Sequence, residues 1–348
     1  MKVEILVGDC RDMLARLPDE SVHTVVTSPP YFGLRDYGVD GQIGLEPSPA
    51  EFVETMVDVF REVRRVLRSD GTLWLNLGDS YAGSWGAQGK RETPGEISRN
   101  SVRNHPKRAR QTSTIREEGL KPKDLIGIPW RVAFALQAEG WWLRQDIVWS
   151  KPNPMPESVR DRCTKAHEYL FLMSKSERYY FDQEAILEPV SPNTNARVSQ
   201  AVMEQVGSAR AHGGNDHREQ MKAVVRRPKV AAAGSGIKYN DSFDAAVCMP
   251  VDKRNKRTVW TVATEGFSEA HFATFPPALV VDCIKAGCPA GGTVLDPFFG
   301  AGTTGLVANR EQRNCIGIEL NPAYAAMAER RIRADGGMLT EISVREAV

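Results

Sequence analysis

The sequence predicts an α/β protein built on a mostly parallel sheet with helices on both faces. Three observations carry this reading. Short apolar runs alternate with segments of helical spacing at both ends of the chain. A glycine-rich turn directly follows one of those runs, near residues 296–303. The 348 residues, 41% of them hydrophobic, suffice to bury a large core without disulfides or metal.

Taken in order, residues 2–8 (KVEILVG) read as a strand and 10–18 (CRDMLARLP) as an amphipathic helix ended by Pro18. TVVTSPPY at 24–31 is a buried strand running into a turn. Helical spacing at 58–67 is followed by a strand at 71–79, set off by Gly71. Strand, helix, strand is the rhythm of a parallel sheet with helical crossovers. PWRVAFALQAEG at 129–140 predicts a helix closed by Gly140, and WLRQDIVWSK at 142–151 a strand. HEYLFLMSK at 167–175 and RYYFD at 178–182 alternate like an antiparallel pair. The last part predicts a helix at 276–287, a strand with a Gly-rich turn at 291–304 and a helix at 305–313. A strand at 314–321 and a closing helix at 323–334 complete it. No internal repeat is visible.

Two stretches break the pattern. Residues 82–123 lose the apolar rhythm and hold ten basic against four acidic side chains. They read either as a solvated loop or as an arm that orders on a polyanion. Residues 184–257 are rich in Gly, Ala, Asn and Pro, with many arginines and lysines, and read as an inserted recognition region. The domain reading is therefore 1–183, with the basic loop 82–124; a recognition region 184–258; and 259–348.

Several classes are excluded. No run approaches 18 apolar residues, so no transmembrane helix is expected. MKVEILVGDC lacks the apolar stretch of a signal peptide. Six scattered cysteines read as free thiols, and no His/Cys set has metal-ligand spacing, so no metal is expected. Trp141, Trp142, Trp149, Tyr179 and Tyr180 read as core residues, and Lys151 as either a phosphate contact or a solvated lysine.

Two motifs carry chemistry. In TVLDPFFGAGTTG at 293–305 a buried strand ends at Asp296, a turn holding Gly300 and Gly302 follows, and a helix starts near Thr303. The glycines admit a ligand close to the backbone, and the helix start offers free N–H groups. Glu319 ends the next strand, where an acid that grips ribose hydroxyls would stand. In the second motif Ser28, Pro29, Pro30 and Tyr31 follow the apolar TVV. The prolines hold the chain stiffly extended. A hydroxyl, a carbonyl and an aromatic ring then meet at the carboxyl end of a strand, which suits a planar, amine-bearing ring.

Together these motifs resemble the S-adenosylmethionine-dependent DNA amino-methyltransferases. The catalytic motif precedes the cofactor motif, as in the circularly permuted β group. Residues 8–10 resemble the segment beside the cofactor adenine, and 271–276 the segment beside its methionine moiety. Residues 149–153 and 167–171 resemble the family's later core strands. The resemblance covers residues 1–81, 125–183 and 259–333. It implies a Rossmann-like methyltransferase fold with a seven-stranded-type sheet, S-adenosylmethionine as cofactor and double-stranded DNA as substrate. Asp9, Cys10, Phe275, Asp296, Pro297, Phe298, Gly300, Gly302, Thr303 and Glu319 would bind the cofactor. Tyr31 would stack on a flipped base, while Ser28 and the Pro29 carbonyl accept its amine. In this family the Ser-Pro-Pro-Tyr form goes mainly with cytosine N4, so cytosine is favoured over adenine N6. A non-catalytic DNA-binding protein on the same scaffold, and a methyltransferase acting on RNA or protein, are the competing readings. A bacterial or phage-host cytoplasm is the implied setting. A cognate restriction endonuclease and a homodimer stay open.

Overall fold

The computed structural model describes residues 1–34, 39, 41–82, 119–190, 253–266, 275–336 and 340–346. Most of the basic loop 82–124, most of the region 184–258 and residues 271–274 lie outside them. The chain forms two compact units, one of Met1–Ile186 with Arg257–Val348, the other of Leu187–Lys256.

The first unit opens with β1 (Lys2–Val7), α1 (Cys10–Ala15), β2 (Val22–Thr27), α2 (Pro49–Val66) and β3 (Leu67–Leu77). Helix α2 starts well before the expected residue 58. Ser48 caps it by accepting from the Glu51 amide at 3.2 Å, with Pro49 in the first turn. Strand β3 starts directly at Leu67 and runs through Gly71, so that glycine does not delimit it. Next come α3 (Ile128–Ala138), β4 (Trp142–Ser150) and β5 (His167–Ser174). β5 pairs antiparallel with both β3 and β4. The expected strand at 178–182 does not form, because Tyr180 and Asp182 donate instead to the Asp70 and Ala286 carbonyls.

After the second unit, whose described part is a short antiparallel pair of β6 (Glu188–Pro189) and β7 (Lys253–Arg254), the first unit resumes. It continues with β8 (Val259–Thr261), α4 (Pro277–Gly287), β9 (Thr293–Asp296), α5 (Thr303–Arg310), β10 (Asn314–Glu319) and α6 (Pro322–Gly336). An unexpected last strand, β11 (Glu341–Glu346), pairs parallel with β1 at the sheet edge. The nine strands run β11-β1-β10-β9-β2-β3-β5-β4-β8. The Rossmann-like, mostly parallel sheet is thus as expected, with β8 and β11 added at its edges.

Alternation along the strands sends side chains into two cores. Leu73, Leu75 and Leu77 of β3 pack with α1, α2 and α3 on one face. Trp74, with Val3 and Ile5 of β1, packs with α4, α5 and α6 on the other. Trp141 and Trp149 are core residues as expected, whereas Trp142 is 45% exposed. None of the helices among the described residues is long and apolar enough to cross a membrane. The order of strands places β2, which runs into Ser28, beside β9, which ends in Asp296. The two chemical motifs, far apart in sequence, therefore leave the same edge of the sheet side by side.

Candidate active site

A cavity of about 180 Å³ opens at that edge. The β1–α1 turn contributes Gly8, Asp9 and Cys10, and the β9–α5 turn contributes Asp296, Pro297, Phe298, Gly300 and Thr303. Phe275 and Glu319 also line it, and Ser28 and Pro30 line the wall nearest β2. Val39, Gly41, Gln42, Ile43, Asn321 and Tyr324 also line it. No spacing or motif in the sequence marks those six.

Glu319 is 9% exposed, and burial raises its pKa. Its Oε2 accepts from the Gly300 amide at 2.7 Å and its Oε1 from the Asn321 amide at 2.9 Å. A carboxylate offers about four lone-pair sites, so each oxygen keeps capacity for a further donor. Asp9 caps α1 through the Arg11 amide at 2.8 Å and also holds the Arg11 guanidinium. The hydrogen bond from that guanidinium holds its pKa below the usual value. Cys10 is buried, and burial pushes its thiol up to about 12, so it is an inert wall residue.

Two expected residues act differently from the sequence reading. Gly302 is not at the cavity. Its backbone is left-handed (φ 73°), and a Cβ there would come within 2.7 Å of Ala328 Cβ. This glycine therefore serves the close packing of α5 on α6, not the approach of a ligand. Gly300, also left-handed (φ 51°), has nothing within 4 Å of a would-be Cβ and faces open space. Asp296 touches the cavity, but its carboxylate is committed inward. It accepts from Thr27 Oγ1 and Thr304 Oγ1, both at 2.7 Å, and from the Phe298 amide at 3.1 Å. It welds β2, β9 and α5 together, and burial raises its pKa to about 6. Thr303 is likewise tied down, bonded to Arg331 at 2.9 Å.

Beside the cavity lies a polar network that the sequence did not reveal. Ser28 Oγ donates to Asn76 Oδ1 at 3.2 Å. Asn76 Nδ2 donates to the Tyr169 carbonyl at 3.1 Å and to Glu168 Oε2 at 3.3 Å, which fixes the amide orientation. The Tyr31 hydroxyl donates to Glu168 Oε2 at 2.6 Å, and Lys151 holds Glu168 Oε1 at 2.5 Å. Lys151 also lies over the Trp149 ring at 4.2 Å. Its side chain is thus paired and largely buried, not solvated. Tyr31 itself packs closely against Gly78, where a Cβ would come within 2.3 Å of the ring. Pro29 is buried.

The sheet thus sets the cavity against the Ser-Pro-Pro-Tyr turn, the pairing of motifs by which the sequence resembles the amino-methyltransferases. The N6/N4 DNA methylase family model matches residues 22–330, and the chain belongs to that family. The type II methyltransferase M.SmaI of Serratia marcescens is 44% identical over 94% of this chain and 90% of its own. M.Cfr9I of Citrobacter freundii is 44% identical over 94% and 87%. Among solved structures, the PvuII DNA methyltransferase, described as cytosine-N4-specific, superposes with a TM-score of 0.56. It does so at 17% identity, over 98% of this chain and 96% of its own. A DNA modification methylase of Thermus thermophilus in complex with S-adenosyl-L-methionine gives 0.54 at 21%, over 99% and 100%. The protein is thus a site-specific DNA methyltransferase of the N4/N6 type.

Proposed function

We propose that the protein methylates cytosine at N4 in double-stranded DNA, on a base turned out of the stack. The observation that carries this is the place of Ser28. It lines the cofactor cavity while its hydroxyl proton is directed at Asn76. Its lone pairs are then left to accept an amine, and the Pro29 carbonyl offers a second acceptor beside it. The Ser-Pro-Pro-Tyr form favours cytosine, and the relative described as cytosine-N4-specific shares the fold. Adenine N6 is the alternative, because the family spans both bases.

The cavity fits S-adenosylmethionine: Glu319 retains acceptor capacity for ribose hydroxyls, Gly300 leaves the backbone open, and Phe275 and Phe298 supply apolar wall. When bound, the cofactor supplies an electrophilic methyl group. Base-modifying enzymes take their target out of the duplex at a cost of a few kcal/mol. Tyr31, held by Glu168 and Gly78, provides a stacking face for such a base. Ser28 and Pro29 accept the two amine hydrogens and so turn the nitrogen lone pair toward the cavity. Their attraction grows as positive charge develops on the amine. No strong base is required, because the methylated ammonium is acidic and loses its proton afterwards. The remaining contribution is positional.

The region 184–258 and the basic loop 82–124 are assigned to reading the target sequence and holding phosphates. A restriction endonuclease of the same specificity is the expected partner, and a bacterial cytoplasm the expected setting, by analogy with the type II relatives. The test is methyl transfer from tritiated S-adenosylmethionine to DNA, RNA and protein in parallel. DNA from a methylation-free host expressing the protein is then sequenced by a modification-sensitive method. Label in DNA at one recurring sequence supports the reading; label in RNA or protein alone overturns it.

A further inference from the structure

We propose that Met155, in the loop joining β4 to β5, is the wedge that enters the base stack when the target nucleotide leaves it. The inference rests on the reading above that the target base is flipped from a duplex. Met155 is 86% exposed, the most exposed large hydrophobic side chain among the described residues. Pro154 and Pro156 flank it and restrict the backbone on both sides of the exposed thioether.

The base of this loop is firmly built. The Lys151 amide donates to the Ala166 carbonyl at 2.8 Å. The Asn153 side chain donates to the Thr264 carbonyl at 3.1 Å and accepts from the Thr264 amide at 2.9 Å. Arg162 bonds Glu157 at 2.6 Å and lies over the Tyr81 ring at 4.1 Å. The loop is thus held at its base while the Met155 side chain stays in water.

Position completes the case. β4 and β3 are both antiparallel to β5, so they run the same way. The loop after β4 therefore leaves the edge of the sheet where Ser28 and Tyr31 stand. Its root residue Lys151 holds Glu168, which in turn holds Tyr31. Met155 follows Lys151 by four residues, a reach of at most roughly 14 Å along extended chain. Apolar side chains, methionine included, serve as wedges that unstack base steps. An unbranched, polarizable thioether adapts to the irregular gap a departed base leaves.

The test compares wild type, Met155→Ala and Met155→Leu on two oligonucleotide duplexes carrying the mapped site. In one the target base is paired; in the other it faces an abasic position, so little unstacking is required. Single-turnover methyl transfer is measured on both, and S-adenosylmethionine affinity by calorimetry. Met155→Ala should slow transfer about tenfold or more on the paired duplex and return to within about twofold of wild type on the abasic one. Met155→Leu should stay near wild type, and cofactor affinity should not change in either variant. Equal slowing on both duplexes, or none on the paired one, overturns the wedge; the latter result would fit a loop that docks another protein. The flipping reading is checked separately, in wild type alone, by 2-aminopurine at the target position. A wild type that leaves the probe dark removes flipping, and the wedge with it.

Discussion

The Tyr31 hydroxyl donates to the Glu168 carboxylate at 2.6 Å, across 137 residues of sequence. The pair joins the turn after β2 to the start of β5, and it fixes the Tyr31 ring in place. Tyr31→Ala removes the stacking face, worth about 1–3 kcal/mol per base, so methyl transfer should fall about ten- to a hundredfold. Tyr31→Phe keeps the face and loses only the tether, so it should fall less. Glu168→Gln should resemble Tyr31→Phe. Single-turnover rates, with S-adenosylmethionine affinity unchanged in all three, check this ordering; Tyr31→Phe as poor as Tyr31→Ala would contradict it.

Ser28 and Asn76 give a sharper comparison. Ser28→Ala deletes one acceptor of the developing positive charge, and such contacts typically cost about tens to a thousandfold in rate. Asn76→Leu leaves the hydroxyl in place but takes away the acceptor of its proton, so it should slow transfer by a smaller factor. Calorimetry should find cofactor binding intact in both.

Glu319 and Asp296 should separate ligand binding from stability. Glu319→Ala should weaken S-adenosylmethionine binding with a small change in melting temperature. Asp296→Ala strands the Thr27 hydroxyl and the Phe298 amide, at about 1–3 kcal/mol for each buried group left unpaired, while Thr304 keeps the Val26 carbonyl, so it should melt markedly earlier. The pH dependence follows from the sign of the shift. With its folded pKa raised to about 6, Asp296 favours the folded state most below the unfolded value of 3.8, and that contribution is lost as pH rises toward 6. Asp296→Asn, which cannot ionise, should therefore improve relative to wild type between pH 4 and 6. Denaturant titrations of both proteins across that range provide the check, and a constant difference would contradict the shift.

The assignment of target reading to the second unit has its own test. DNA affinity should fall steeply with salt as counterions are released. Replacing Leu187–Lys256 by a short linker should abolish site choice and spare cofactor binding. A shortened protein that still methylates the original site would contradict the assignment.

What the sequence disclosed was local. Ser28 to Tyr31, and the turn from Asp296 to Thr303 with Glu319, each lie at a strand end, where composition and turn chemistry mark them. Asn76, Glu168 and Lys151 were not legible as a group. Asn76 is 48 residues from Ser28, and Glu168 is 92 from Asn76; only the order β2-β3-β5-β4 brings them together. Gly302 carried the right signature for the wrong reason, since a glycine that admits a ligand and one that admits a helix look alike in sequence. β11 was missed because an edge strand such as EISVRE, mostly polar and half exposed, lacks an apolar run. The start of α2 was written in Ser48, Pro49 and Glu51, a capping signal ahead of the periodic stretch.

The most direct test of the central claim is the identity of the methylated nucleoside. DNA modified by the wild-type protein is digested to nucleosides and resolved by mass spectrometry against standards. N4-Methylcytosine is the expected product. N6-methyladenine would contradict the choice of base. 5-Methylcytosine would contradict the chemistry itself, since attack at a ring carbon needs a nucleophilic cysteine beside the base, and no Pro-Cys pair occurs in the chain.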